Sequence, residues 1–281
     1  MHVTAIHRYP VKGLNPAALE AVDVEPGGGV PGDRRFALAR AGARVDPATP
    51  KWATRGHFLA LVRDPHLAKL RVDFDPTTSS MSLRHDGVPG CAASTATAEG
   101  RRAVEIFVDA FLAGRAGAPV RLIEADTLSF TDIPENLVSL IGLASVRDLE
   151  AKMGAPLDPL RFRGNVYFEG GRPWEEFAWV GREIHVGGVT LAVTAPTSRC
   201  AATMVNPDTG MRDLNVPKGL KMHCGHTDMG VYARVVAGGR LAVGDRLQAP
   251  ATPARSRVAR LVGVARFYGR NVVVGLRGRA R

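Results

Sequence analysis

The chain has 281 residues, 45% hydrophobic and 23% charged, a balance usual for a folded globular protein and too apolar for a disordered one. Three cysteines with no CxxC pair exclude a disulfide framework, and no run approaches the roughly 18 apolar residues of a membrane helix, so a soluble protein of a reducing compartment, the cytoplasm, is expected. The formal charge of +10 points toward nucleic acid only until it is located: eight units are the arginines of residues 251 to 281, which leaves +2 for residues 1 to 250, and no interleaved aromatic stacking set accompanies that tail.

The opening, MHVTAIHRYPVKG, carries His, Arg and Lys ahead of any apolar stretch, so no secretory leader is expected. Residues 3 to 9 and 19 to 24 cluster β-formers. VEPGGGVPGDRRFALAR then turns through glycine and proline into a strand from Arg34 to Arg40, which together predict a small antiparallel sheet. The small, polar run PGCAASTATAEG, residues 89 to 100, reads as a loop. From 101 to 113, Val104, Phe107, Val108, Phe111 and Leu112 recur at helical spacing as one buried stripe, and its aromatics are core.

Ser145, with Asp148 three residues on, predicts the N-cap of a second helix that runs to about Met153 and stops at Gly154 and Pro156; its start is a potential anion site. GAPLDPLRFRGN, residues 154 to 165, is rich in glycine and proline and reads as a seam between parts. REIHVGGVTLAVT predicts a hairpin about Gly187-Gly188, with Ile184, Val186, Val189, Leu191 and Val193 alternating. The chain passes directly into SRCAATMVNPDTG. A last hairpin is expected, with Val231 to Val236 as one arm, residues 237 to 239 as the turn and Leu241 to Leu247 as the return. Strands outnumber helices and no internal repeat occurs. The expected fold is therefore mainly β with some α (α+β), as β-barrel-like sheets with a few covering helices.

Chemistry centres on Cys200, which follows a strand and stands directly behind Arg199 on a loop rich in turn formers. A neighbouring guanidinium and loop amides favour a thiolate, which serves as nucleophile, persulfide carrier or ligand for a soft transition metal; a buried structural cysteine is the competing reading. Cations and a hydroxyl are spread over distant loops: Lys12 in YPVKG, Arg34 and Arg35 in PGDRRF, Ser145, and Arg161, Arg163 and Asn165 in RFRGN. Brought together, they suit an anionic, phosphate-bearing ligand. His223, Cys224 and His226 in MHCGHTD raise a zinc question, but their spacing departs from the usual ligand patterns. No histidine is placed by order or spacing to serve Cys200 in a cysteine hydrolase.

SRCAATMVNPDTG resembles the cysteine motif of the MOSC domain. YPVKG with PGDRRFAL resembles the β-barrel domain that precedes it in the mitochondrial amidoxime reducing component and its bacterial relatives, and RFRGNVYF, FAWVGREIHVGG and GVYARVVAGGRLAVGDRL follow the same pattern in order. The resemblance covers about residues 1 to 250. It implies an N-terminal MOSC β-barrel domain over residues 1 to 115, a MOSC domain over 116 to 250, and a basic tail beyond.

It also implies a molybdenum pterin cofactor with the metal bound by the Cys200 thiolate, and Lys12, Gly13, Arg34, Ser145, Arg161, Arg163, Asn165, Ser198, Arg199 and Tyr232 as cofactor contacts. Many relatives have serine where Gly13 stands, so only a backbone contact is implied there. Asp245, in VGD, looks like a position that faces substrate, although an aspartate in a strand-entry turn reads the same. Pyridoxal phosphate binding is a further attribute of the family.

The implied activity is two-electron reduction of N-hydroxylated substrates, with arginine and a positioned water as proton sources. The chain has no four-cysteine cluster, so a separate reductase or an iron–sulfur or haem carrier must supply electrons. The alternatives are a sulfur carrier or sulfurtransferase working through a Cys200 persulfide, or a carrier of the cofactor without turnover. No membrane and no nucleic-acid partner is expected.

Overall fold

Distant parts of the chain pair to form the sheets, and this pairing places the functional loops. The computed structural model describes residues 1–113 and 119–250, so the arginine-rich segment 251–281 lies outside the described residues. In chain order it has strands β1 (His2–Arg8), β2 (Ala17–Leu19), β3 (Ala21–Val24), β4 (Phe36–Ala39), β5 (Arg71–Asp75), β6 (Ser80–His85) and β7 (Val88–Ser94), then helix α1 (Ala98–Leu112). Strands β8 (Arg121–Glu124) and β9 (Val138–Gly142), helix α2 (Leu143–Met153) and strands β10 (Val166–Glu169), β11 (Glu183–Val186) and β12 (Val189–Ser198) follow. Helix α3 (Val216–Cys224) and strands β13 (Asp228–Ala237), β14 (Gly239–Ala242) and β15 (Leu247–Gln248) complete the described chain. The class is α+β and mainly β, as expected.

Eight strands form one curled sheet in the order β15-β11-β12-β13-β9-β10-β1-β2. Within it β9 and β10 run parallel and the other neighbours antiparallel. Its inner face is the alternating stripe read from the sequence: Val189, Leu191 and Val193 of β12 pack with Ile184 and Val186 of β11 and Val231, Ala233 and Val235 of β13. Each fully buried valine or leucine contributes roughly 1.5–3 kcal/mol. The hairpin at Gly187-Gly188 forms as expected, with Val186 opposite Val189.

Three expectations need correction. The opening strands do not make one small sheet: β1 pairs with β2 and β10, β3 with β14, and β4 with β8. Nor do Val231–Val236 and Leu241–Leu247 form a hairpin, because β13 lies between β12 and β9 while β14 leaves to pair with β3. The cause is two glycines at the turn. A Cβ on Gly238 would stand 2.5 Å from the Val24 carbonyl oxygen and one on Gly239, at φ +156°, 2.8 Å from that of Gly188, so only glycine lets the backbone cross so closely. The supposed loop at 89 to 100 is in its first part β7, paired with β6.

Helix α1 starts slightly earlier than expected, where the Thr97 hydroxyl accepts the Gly100 N–H, and buries Val104, Val108 and Leu112. Helix α2 starts at Leu143 with Gly142 as N-cap, so Ser145 lies inside the first turn and is fully buried rather than capping. The place of a potential anion is taken by a side chain of the protein: the Ser145 hydroxyl donates to the Glu176 carboxyl group at 2.8 Å and accepts the Trp174 N–H at 2.7 Å. Helix α3 packs on α2 through Gly219, where a Cβ would meet the Met153 sulfur at 2.6 Å.

Candidate functional site

The ends of four segments converge on one cleft. Behind β1 the chain turns at Gly13, whose φ of +87° is a left-handed conformation suited to glycine, and Lys12 N–H is fixed on the Phe36 carbonyl at 2.8 Å. Asp33, buried, accepts the Tyr9 N–H at 2.8 Å and pairs with Arg34. A 3-10 turn, Pro159–Phe162, presents Arg161 and then Arg163. Finally β12 ends at Ser198 and delivers Arg199 and Cys200, and the 3-10 turn Ala201–Met204 is held by the Cys200 carbonyl, which accepts the Thr203 N–H at 3.1 Å and its hydroxyl at 2.9 Å.

The cleft holds about 130 Å³ of solvent space. Of the residues singled out in the sequence, Lys12, Gly13, Arg34, Arg161, Arg163, Asn165, Ser198, Arg199, Cys200 and Tyr232 line it. Ser145 does not; it is buried against Glu176. Asp245 does not either: its carboxylate accepts the Ala242 N–H at 2.7 Å in the turn after β14, the strand-entry role. Arg35 pairs with Glu124 at 2.7 Å and with Asp126 at 3.2 Å, outside the cleft. The zinc grouping is not assembled: among the described residues no three His, Cys, Asp or Glu side chains are grouped to hold a metal ion, and His226 packs edge-on against Trp174 and Phe177.

Charge is what distinguishes the cleft. Lys12 pairs with Asp132 at 2.7 Å, Arg34 with Asp33, and Arg161 with Asp213 at 2.7 Å. Arg163 and Arg199 bind carbonyl oxygens instead: Arg163 Nη1 donates to Leu14 at 2.6 Å, and Arg199 donates to Met229 from Nε at 2.9 Å and to Phe162 from Nη1 at 2.8 Å. Burial, with Arg34 adding repulsion, lowers the Arg163 pKa to about 10, and burial lowers that of Arg199 as well. Arg34 goes the other way: burial alone would lower its pKa, but its charge interactions, with Asp33 first and then Tyr9, raise it. Arg34 and Arg163 lie on the Tyr9 ring, each 4.3 Å from its centroid.

Backbone strain marks the same two arginines. They are two of the five non-glycine residues with positive φ among the described residues, Arg34 at +47° and Arg163 at +50°. Such conformations cost of order 1 kcal/mol each and concentrate at working sites. Arg161 keeps a buried Nε without a hydrogen-bond partner. The site is thus a preset array of donors and positive charge beside one thiol, suited to a phosphate-bearing ligand and a soft metal.

Asn165 is buried, and its Oδ1 accepts both the N–H and the hydroxyl of Ser139, at 3.1 and 2.8 Å, while Nδ2 donates to the His7 carbonyl at 3.2 Å. It therefore ties β9 to β1 as well as lining the cleft. Thr203, one of the polar residues of the Cys200 loop, also lines it, as do Ser139, Asp132 and Phe130, which the sequence did not single out. Only Asp132 had a signal: a buried lysine such as Lys12 demands a carboxylate, and SFTDIPENL supplies one.

The family model described as the MOSC N-terminal beta barrel domain matches residues 1–121, and that of the MOSC domain matches 126–248. Among curated proteins the chain is similar to mitochondrial amidoxime-reducing component 1 of Mus musculus, 28% identical over 113 residues, 39% of this chain and 32% of that protein. It is also similar to mitochondrial amidoxime reducing component 2 of Bos taurus, 31% identical over 120 residues, 38% and 35% of the two chains. The match spans about a third of the length of these relatives. Among solved structures, the YUAD protein from Bacillus subtilis is 13% identical, with 88% of this chain and 93% of that one covered and a TM-score of 0.40. YiiM from Geobacillus stearothermophilus is 19% identical, with 48% and 64% covered and a TM-score of 0.35.

Proposed function

Because this chain belongs to the MOSC domain family, with the N-terminal MOSC beta barrel domain ahead of the MOSC domain, we propose that it is a molybdenum-cofactor-dependent reductase of N-hydroxylated compounds. The observation that carries this reading is the pair of guanidinium groups, Arg163 and Arg199, set without carboxylates in the cleft that also exposes Cys200. The donor set fits the group: a soft thiolate for molybdenum and fixed cations for the pterin's phosphate. Amidoxime reduction is what the two named relatives are called for.

In this reading Cys200 holds the metal, Lys12, Arg34, Arg163 and Arg199 hold the phosphate, and Arg161, paired with Asp213, adds positive charge to the same lining. When bound, the cofactor supplies the two-electron reduction that breaks the N–O bond. Overall, an N–OH compound takes up two electrons and two protons and becomes an N–H compound and water. Ser198 and Tyr232 both line the cleft, and in this reading their hydroxyls, at Oγ and Oη, could pass protons to the substrate. Phe130 and Phe162, fully buried, exclude water from the floor. In this reading a reductase or an iron–sulfur or haem carrier delivers the electrons.

The test is metal and pterin content of the protein and of Cys200→Ser, both produced in a host that makes the cofactor. Near-stoichiometric molybdenum and pterin in the parent, with metal lost from the variant, is the expected result, followed by reduction of an amidoxime by the loaded protein. Molybdenum and pterin absent from both would overturn the reading.

A further inference from the structure

Arg161 differs from the other cations of the cleft in how far its head is bound to the loop that carries the thiol. Its side chain is 3% exposed, and Nη2 donates to both oxygens of the Asp213 carboxylate, at 2.7 and 2.8 Å. Nη1 donates to the carbonyl of Met204 at 3.1 Å, the last residue of the 3-10 turn that Cys200 heads. A forked contact of this kind fixes orientation as well as distance. The carboxylate is held in turn, because Asp213 Oδ2 also accepts Asn206 Nδ2 at 2.8 Å.

The Cys200 loop is thereby tied to one turn, Pro159–Phe162, from both sides of the thiol. Ahead of it, Arg199 Nη1 donates to the Phe162 carbonyl at 2.8 Å; behind it, Arg161 reaches Met204 and Asp213. The outer part of the loop is closed on itself: the Asn206 N–H donates to the Met211 carbonyl at 2.7 Å, and Asn206 Oδ1 accepts the N–H groups of Asp208 and Thr209 at 2.9 and 3.1 Å. Its far side rests on the first half of the chain, where Arg212 Nη2 donates to the Val62 carbonyl at 2.7 Å. A loop braced in this way shifts as one piece, and Arg161 and Asp213 form the clasp that fixes its inner end beside the thiol.

We propose that Arg161 is a positioning residue for Cys200: through Asp213 and Met204 it fixes the loop that carries the thiol, and this role outweighs the charge that it brings to the lining. What the placement means for a metal rests on the reading of Cys200 as a molybdenum ligand. The placement itself does not, and it is measured without cofactor.

The full chain, produced in a host that does not make the cofactor, is alkylated with iodoacetamide at neutral pH, and the rate at each cysteine is followed by mass spectrometry of its peptide. Cys91 and Cys224, also free and part-buried, are internal controls. Arg161→Met removes a cation and Asp213→Asn removes a carboxylate, so a role through charge alone makes the thiolate less available in the first variant and more available in the second. Positioning gives the same sign in both: Cys200 is alkylated about tenfold faster, while Cys91 and Cys224 stay within about twofold of the parent. Arg161→Lys keeps the charge but loses the fork, and Cys200 should be faster there too. The double variant Arg161→Met with Asp213→Asn should be no faster than the faster single one, because the two side chains act as a unit. Opposite signs in the two single variants would assign Arg161 to charge, a parallel rise at all three cysteines to general stability, and an unchanged Cys200 rate would show a loop held without the clasp; each result overturns the proposal. None of them bears on metal and pterin content, so a failed clasp leaves the molybdenum reading standing, and absent molybdenum leaves the clasp standing.

Discussion

Replacing Glu176 by glutamine should make the protein's stability insensitive to pH where the parent loses it. Glu176 lies in the 3-10 turn Glu175–Trp179, is 1% exposed, and has its two carboxylate oxygens 2.8 and 2.9 Å from the Ser145 hydroxyl at the start of α2. Burial is the main influence and pushes the carboxyl up to about 7, from 4.5, against the favourable Gly142 N–H and Ser145 contacts. The folded state therefore prefers the protonated acid. Its stabilising contribution is complete below pH 4.5, declines as pH rises toward 7, and is gone above it. At about 1.4 kcal/mol per unit, the loss from pH 4.5 to pH 8.5 is about 3 kcal/mol.

Glutamine mimics the neutral acid at every pH, so the stability difference, variant minus parent, should grow by about 3 kcal/mol over that interval and be flat below pH 4.5. Urea unfolding followed by tryptophan fluorescence measures it, with Trp174 and Trp179 in the same segment as reporters. Taking the difference cancels every other titrating group. A difference that stays within about 0.5 kcal/mol from pH 4.5 to pH 8.5 would show that Glu176 does not titrate there, and the reasoning from burial would fail.

Gly219→Ala should lower stability by about 1–3 kcal/mol although alanine is the better helix former, because the new methyl group would strike Met153 across the α2–α3 contact; Met153→Ala in the same background should recover part of the loss in thermal unfolding. Arg163→Met should leave stability unchanged or raise it by about 1 kcal/mol, since a desolvated guanidinium without a carboxylate is replaced by an apolar chain of similar length, yet phosphate affinity should fall at least about tenfold. Opposite signs in melting temperature and in calorimetric affinity are the signature; a parallel loss of both would assign Arg163 to structure alone.

Local patterns were legible wherever one physical rule decided. The β11–β12 hairpin follows from alternation about two glycines, and the buried stripe of α1 from helical spacing. The cations of the cleft were visible one by one, and the family resemblance was what grouped them. What sequence could not supply was partner choice. Val231–Val236 and Leu241–Leu247 read as a hairpin because their pattern is right, and only the close passage of Gly238 and Gly239 against Val24 and Gly188 shows why the arms separate. Ser145 has the composition of an N-cap, but Glu176, 31 residues on, draws it inside. Asp132 was passed over because its meaning depends on Lys12, 120 residues away.

The position of β1 between β10 and β2 has a consequence for synthesis. Residues 2–8 leave the ribosome well ahead of their partner in the large sheet, Val166–Glu169, which follows about 160 residues later. At about 5–20 residues per second this is a delay of roughly 8–30 s, during which one edge of β1 carries unsatisfied N–H and C=O groups and an apolar face. Nascent chains of this protein must therefore be shielded by a chaperone or remain collapsed around that strand, and slowing translation beyond residue 100 would raise the fraction that aggregates.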